Sequence, residues 1–194
     1  MIRRRDIVRD RRGTAAVEFA LIAPVFFMLL LGVFDMGYNM YTASLLHGEI
    51  QKAARDSTIE GAASSTSGLD NEVTKAVRNL VPGSTINFAR KSYADYTDVS
   101  RPEDFIDGDS DGVCNNGETF EDANGNGTWD ADRGSTGLGG ARDAVLYEVT
   151  VSYPRLFPIW KLIDQDRNFS MTARTVLRNQ PYDLQGDRAA TGTC

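Results

Sequence analysis

Histidine occurs once in this chain and cysteine twice, and each scarcity removes a class of chemistry. A lone His47 cannot build a Cys/His zinc cluster, whose spacing needs several such ligands. It sits beside Leu46 on a predicted helix, where a solvated histidine is the ordinary reading. No nucleophile–base–acid set assembles around it, and no glycine-rich phosphate loop follows a predicted strand. The expectation is a protein that is not an enzyme. Base is in short supply too: 21 Lys and Arg stand against 27 Asp and Glu, for a net charge of −6. That balance argues against nucleic acid as a partner, since phosphate recognition needs clustered cations. The two cysteines, Cys114 and Cys194, leave one bridge in an exported protein and two free thiols equally open.

Charge is unevenly placed. Arg3, Arg4, Arg5, Arg9, Arg11 and Arg12 crowd the start against only Asp6 and Asp10, whereas Glu103 to Asp132 holds ten acids and no base. Two regions with different partners are implied.

Between the two lies the one long apolar run. Phe19 to Phe34 reads FALIAPVFFMLLLGVF without a charge, and counted from Thr14 it is interrupted only by Glu18. About 20 apolar residues suffice for a helix to cross a bilayer. The arginines before it predict a cytoplasmic leader over 1–13, with the chain beyond Tyr41 in the periplasm. A cleaved secretory signal is the rival reading. The length of the run, the absence of an A-x-A site after it and the interruption by Glu18 all weigh against that rival.

A carboxylate at the edge of a membrane helix costs a few kcal/mol unless paired, which marks Glu18 for a role. The alternative is a side chain that only answers the helix dipole or reaches the headgroups. The surrounding residues, Arg11-Arg12-Gly13-Thr14-Ala15-Ala16-Val17-Glu18-Phe19, resemble the prepilin cleavage motif. That resemblance implies a prepilin peptidase cutting after Gly13, so that Glu18 becomes the fifth residue of the mature chain. Glycine offers no side chain to obstruct such a cut. The new amine on Thr14 is able to neutralise Glu18 of a neighbouring subunit where both are desolvated.

With Ala20-Leu21-Ile22-Ala23-Pro24, the Leu-rich run, Gly32, Asp35-Met36-Gly37 and Gln51-Lys52-Ala53-Ala54-Arg55, the segment is similar to the TadE-like family, minor pilins of the tight-adherence (Flp-type) pilus. Ser170 to Asn179 is similar to the way such chains finish. The resemblance implies other pilins, the pilus assembly platform and the lipid bilayer as partners, with the chain single-pass in a bacterial inner membrane. Pro24 removes one backbone hydrogen bond from the helix, leaving either a static kink or a turn able to melt on packing.

Beyond the membrane, Tyr38, Tyr41, Leu45, Leu46, Ile50, Ala53 and Ala54 keep the helical spacing. One helix from about Thr14 to Ser57, within a transmembrane and extended helical segment over 14–60, is expected to be roughly 65 Å long, its outer half needing cover for an apolar stripe. A linker is expected at Gly61–Gly68, a short helix at Leu69–Leu80, and strand-type sequence at Thr85–Tyr96. Val145–Tyr153 alternates strictly, Leu156–Ile163 is a short apolar piece bearing Trp160, and Phe169–Leu177 is a last strand. The fold class is α+β: a long N-terminal, pilin-like transmembrane helix against a small antiparallel sheet. The soluble part spans 61–178, and an unpaired tail follows over 179–194.

The acidic insertion over 103–133 holds the second motif. Counted as a twelve-residue calcium loop, Asp107, Asp109 and Asp111 fall at positions one, three and five, with Gly112 at six. The Val113 carbonyl is at seven, Asn115 at nine and Glu118 at twelve. Fifteen residues on, Asp122, Asn124, Asn126, Gly127, Thr128 and Asp130 repeat the pattern in phase. There the twelfth position is Arg133, so that loop lacks its last ligand unless Asp130 or Asp132 replaces it. The loops resemble EF-hand-like repeats, which implies calcium; solvated acidic loops held by Asx turns are the alternative. If calcium binds, Phe105 and Trp129 are expected to fold onto the sheet as the insertion orders.

Overall fold

The computed structural model describes residues 13–57, 66–161, 163–179 and 190–194. Helix α1 runs Thr14–Ser57 and α2 Thr66–Leu80; the strands are β1 Thr85–Tyr93, β2 Thr119–Asp122, β3 Ser135–Thr136, β4 Ala144–Pro154, β5 Asn168–Arg178 and β6 Ala190–Thr193. The basic leader through residue 12 and most of the expected linker lie outside the described residues. Two units are formed: one from the chain through Tyr41 with Pro154–Phe169, the other from Thr42–Tyr153 with Ser170–Cys194.

In the first unit, α1 has a surface suited to lipid. Leu21, Leu29 and Val33 are 77%, 66% and 72% exposed, and helix formation satisfies the backbone internally, as a bilayer requires. Pro24 lies within the helix. Segment 154–169 carries a 3₁₀ turn, Pro158–Lys161. It packs on α1 through Phe157, stacked on Phe34 at 6.1 Å, and through Ile159, which lies so near Gly32 that an added Cβ would come within 3.2 Å of it.

In the second unit, α1 buries Thr42, Leu46, Ile50, Ala53 and Ala54, a stripe at helical spacing. α2 buries Val73 and Val77, and burying each such side chain contributes about 1.5–3 kcal/mol. The four-stranded sheet has the order β3-β1-β4-β5. β4 is interior, and its alternation is as the sequence predicts: Tyr147, Val149, Val151 and Tyr153 point inward and are buried. β1 pairs antiparallel with β4, Phe88 opposite Val149. β5 also lies antiparallel to β4, since Thr150 meets Thr172 and Ser152 meets Ser170. Asp70 of α2 accepts from Arg90 of β1 and from the Tyr147 hydroxyl of β4 at 2.9 Å, tying the helix to both strands. Burial first, and then Asp70, raises the Tyr147 pKa.

Three expectations need correction. α2 begins at Thr66, so Ser67 and Gly68 are helical and not linker. β1 stops at Tyr93 and the chain turns into a 3₁₀ segment at Tyr96–Asp98. The tail is not unpaired: Asn179 donates to the Leu138 and Gly140 carbonyls, and Ala190–Thr193 pairs antiparallel with β2. Cys194 reaches its place because it is disulfide-bonded to Cys114, the Cα atoms 5.6 Å apart. No alternation of side chains in so short a strand announces it; a backbone ladder and a covalent bond hold it instead.

Candidate functional site

Gly13 ends the described N-terminal side as a turn residue whose carbonyl accepts from Val17 N at 3.2 Å, so the helix starts at Thr14. Among the described residues, nothing lies within 4 Å of a Cβ built on Gly13. Glu18 is exposed on the first turns of α1. Gly13, Thr14 and Glu18 are thus close together and exposed at one end of the apolar helix.

The two acidic loops flank β2, one ending as the strand begins and the other starting at its last residue. In the first, Asp107 Oδ1 accepts from Asp111 N at 3.2 Å and Oδ2 from Gly112 N at 3.0 Å. In the second, Asp122 accepts from Asn126 N at 3.1 Å and from Gly127 N at 2.9 Å. Position five then accepts from the N–H of position seven in both: Asp111 from Val113 and Asn126 from Thr128, each at 2.8 Å. Gly112 and Gly127 both have φ of 78°, a left-handed backbone that glycine adopts without strain. The sequence repeat is a structural repeat.

At position twelve the loops diverge. Glu118 closes the first by accepting from Gly108 N at 2.5 Å and Asn115 N at 3.2 Å, positions two and nine. Arg133, the formal counterpart in the second, turns away. It is nearly buried and reaches Asp104 at 2.8 Å, Asp98 at 3.4 Å and the Pro102 carbonyl at 3.1 Å. Asp132 is also engaged elsewhere, with Lys91 Nζ at 2.6 Å and the Tyr93 hydroxyl at 3.3 Å. Asp130 stays at position nine, where it accepts from Asn124 and Asn126.

The missing carboxylate comes from Glu103. It is 1% exposed, and it accepts from Ala123 N at 2.9 Å and Asp130 N at 3.0 Å, again positions two and nine. Backbone pairing delivers it: Glu103 N donates to Asp130 O at 3.0 Å and Arg133 N to Arg101 O at 2.9 Å, laying 101–103 beside 130–133. The Trp129 indole seals the pair by donating to the Glu103 carbonyl at 2.8 Å. Sequence reasoning missed Glu103 because no spacing rule reaches from 103 to a loop starting at 122. The one available signal was the arginine at position twelve, which leaves the loop short of a carboxylate.

The donor set fits a hard cation. Asp107, Asp109 and Glu118 bring ligand oxygens within 4.8 Å of one another. Asn115 Oδ1, at position nine, is buried and accepts no hydrogen bond among the described residues. All the side-chain ligands offer oxygen, the chemistry calcium selects. The Asn115 amide and then the Val113 N–H hold the Asp111 carboxyl below the usual carboxylate range, so it is charged at neutral pH. Phe105 and Trp129 pack edge to face at 5.8 Å, and Phe105 bridges Phe120 of β2. Phe105 thus ties this aromatic pair to the two-stranded sheet.

Comparison with curated proteins and with solved structures finds no match to either. Comparison with protein families finds that residues 13–57, the segment from the turn at Gly13 to the last residue of α1, match the family described as TadE-like protein.

Proposed function

We propose that this chain is a membrane-anchored minor pilin or pseudopilin of a tight-adherence pilus system, cut after Gly13 by a prepilin peptidase. One observation carries the reading. The segment that matches the TadE-like family is an apolar helix that begins directly after Gly13 and bears Glu18 in its first turns. The arginine-rich leader stays cytoplasmic under the positive-inside rule, which leaves the second unit in the periplasm. After cleavage the Thr14 amine is cationic, and in a bundle of such helices it neutralises Glu18 of a neighbour. Both groups are then desolvated and paired, the condition under which a charge is tolerated among apolar helices. Partners are accordingly other pilins, the assembly platform and the bilayer, in pilus biogenesis or adhesion. Mass spectrometry of the protein from native membranes tests this: a chain starting at Thr14 is expected, and one retaining Met1 or starting beyond Tyr41 overturns it.

Calcium belongs to the same proposal. Asp107, Asp109, Asp111, the Val113 carbonyl and Glu118 would hold one ion, and Asp122, Asn124, Asn126, Thr128 and Asp130, with Glu103, a second. Bound calcium supplies positive charge to an insertion whose own acids repel one another. The in-phase loops also favour a second reading, a stably anchored periplasmic calcium module that never enters a filament. Pilus preparations separate the two: the subunit co-purifies with filaments or their assembly complex under the first reading, and stays wholly with the membrane under the second.

A further inference from the structure

The segment Pro154–Phe169 has no part in the reading above, yet it sits at a defined level of α1. Its contacts fall on Gly32, Phe34 and Asp35. A helix rising 1.5 Å per residue from Thr14 covers a hydrocarbon core of about 30 Å in about 20 residues, which ends the apolar span at this level. Asp35 is the first carboxylate after the run and is 5% exposed. It accepts from Arg155 Nη1 at 2.5 Å and from Asn39 at 3.1 Å. A carboxylate at a lipid boundary needs such a partner, and the segment brings it. Arg155 is itself fixed: its guanidinium lies 5.0 Å over the Phe169 ring and its N–H donates to the Arg167 carbonyl at 2.8 Å.

The turn held there shows apolar side chains outward. Leu156 is 63% and Ile163 51% exposed, and Val33 and Met36 of α1, which flank the contacted Gly32, Phe34 and Asp35 in sequence, are exposed too. Lys161 Nζ sits 5.3 Å over the Trp160 ring. Tryptophan with a flexible cation is the pairing that suits the headgroup layer, where a ring is half in hydrocarbon and an ammonium reaches water. The exposed Asp164 and Asp166 that follow mark the side left in water. We infer that Pro154–Phe169 is a second membrane contact, an interfacial turn that seats Leu156, Trp160 and Ile163 in the headgroup layer where α1 leaves the bilayer, with the Asp35–Arg155 pair as its clasp. The occupant of this apolar surface is lipid, because the surface continues the lipid-facing side of α1 at the depth where that side ends.

The inference rests on α1 spanning a bilayer, and the experiment reads the two separately. The full chain carrying Trp129→Phe, so that Trp160 is the single tryptophan, is reconstituted in vesicles of phosphatidylethanolamine and phosphatidylglycerol. A second protein carries Phe27→Trp with both native tryptophans changed to Phe. Trp160 is expected to be shielded from iodide and quenched more strongly by lipid with a nitroxide near the headgroup end of its acyl chain than near the methyl end. Arg155→Gln should open Trp160 to iodide and leave the Phe27→Trp signal unchanged. The inference is overturned if Trp160 is open to iodide and unquenched by either lipid while Phe27→Trp is quenched from the methyl end. If neither position is quenched by lipid, the anchor reading falls and takes this one with it. Should Trp129→Phe fail to fold, the difference between the unaltered chain and Trp160→Phe gives the same measurement.

Discussion

Glu103 stands to the second acidic loop as Glu118 stands to the first: each carboxylate accepts the N–H groups of positions two and nine of its loop. Glu118 does so from within its own twelve residues, Glu103 from a segment laid alongside by backbone pairing. The two carboxylates should therefore govern separate calcium sites. Calorimetry on the full chain in detergent should show two sites. Glu103→Gln keeps an acceptor but removes the charge, and is expected to abolish the second site while sparing the first; Glu118→Gln should do the reverse. A titration that keeps both sites in Glu103→Gln rules out a ligand role for that residue.

The disulfide between Cys114 and Cys194 closes a loop across a sequence separation of 80, and Cys194 N also donates to Glu118 O at 2.9 Å. Reduction, or Cys194→Ser, should cost up to about 4.5 kcal/mol of stability on the loop-entropy argument for a loop of this length. It should also release β6 from β2, exposing Phe120, which Gly192 now contacts too closely to admit a Cβ. Thermal melts with and without reductant check the first expectation, and amide exchange at Thr119–Asp122 the second. Unchanged exchange there would mean that the ladder alone holds the tail.

Much of this was legible in the sequence, for a physical reason. Period and length announce themselves wherever one face is buried along a whole element. That holds for β4, with its buried Tyr147, Val149 and Val151; α1 was readable instead from its long uncharged apolar run, most of whose side chains are exposed, and β5 from an alternation whose inner face is half-buried around Ala173. The two acidic loops were readable because each repeated oxygen-bearing residue lies at a fixed offset from Asp107 or Asp122. What stayed hidden depends on distant partners. Ala190–Thr193 has no apolar face and is a strand only because β2 and Cys114 hold it. Glu103 reads as one acid among ten until Arg133 turns away to Asp98 and Asp104. Asp35 looks like the polar end of a membrane segment until Arg155 reaches it.

Glu18 is exposed on the first turns of α1, so it makes no structural demand that its removal would violate. Glu18→Ala makes the span more apolar, and insertion should be unchanged or improved. Its effect is expected in association: fewer or no pili, with normal amounts of processed protein in the membrane. Immunoblotting of membranes beside electron microscopy of cells decides it. Normal piliation would show that the Thr14 amine needs no counter-charge from this position.

The pH response should be set where the insertion meets β1. Tyr93 is 1% exposed, and its ring fills the space above Gly134, where an added Cβ would come within 2.7 Å of it. Burial, and then the hydrogen bond and charge of Asp132, push its pKa up from 10.0 to about 12. Burial opposes ionisation of Asp132 as well, yet Lys91, the Gly134 N–H and the Tyr93 hydroxyl hold its carboxyl below the usual range. The signs follow by linkage. The raised tyrosine contributes stability that is complete below about pH 10, its unfolded value, and is lost as pH rises toward about 12. The lowered aspartate contributes stability present above its unfolded value near 3.8 and lost as pH falls through its folded value. Stability should thus decline at both extremes through one contact. Tyr93→Phe removes this contact's share of the alkaline limb, leaving that of the also-raised Tyr147, and keeps the ring. In phenolate absorbance titrations the unaltered chain should therefore show one late-titrating tyrosine more than the variant, with the acid limb present in both. A variant whose alkaline denaturation midpoint does not rise would show that Tyr93 is not the group that limits stability at high pH.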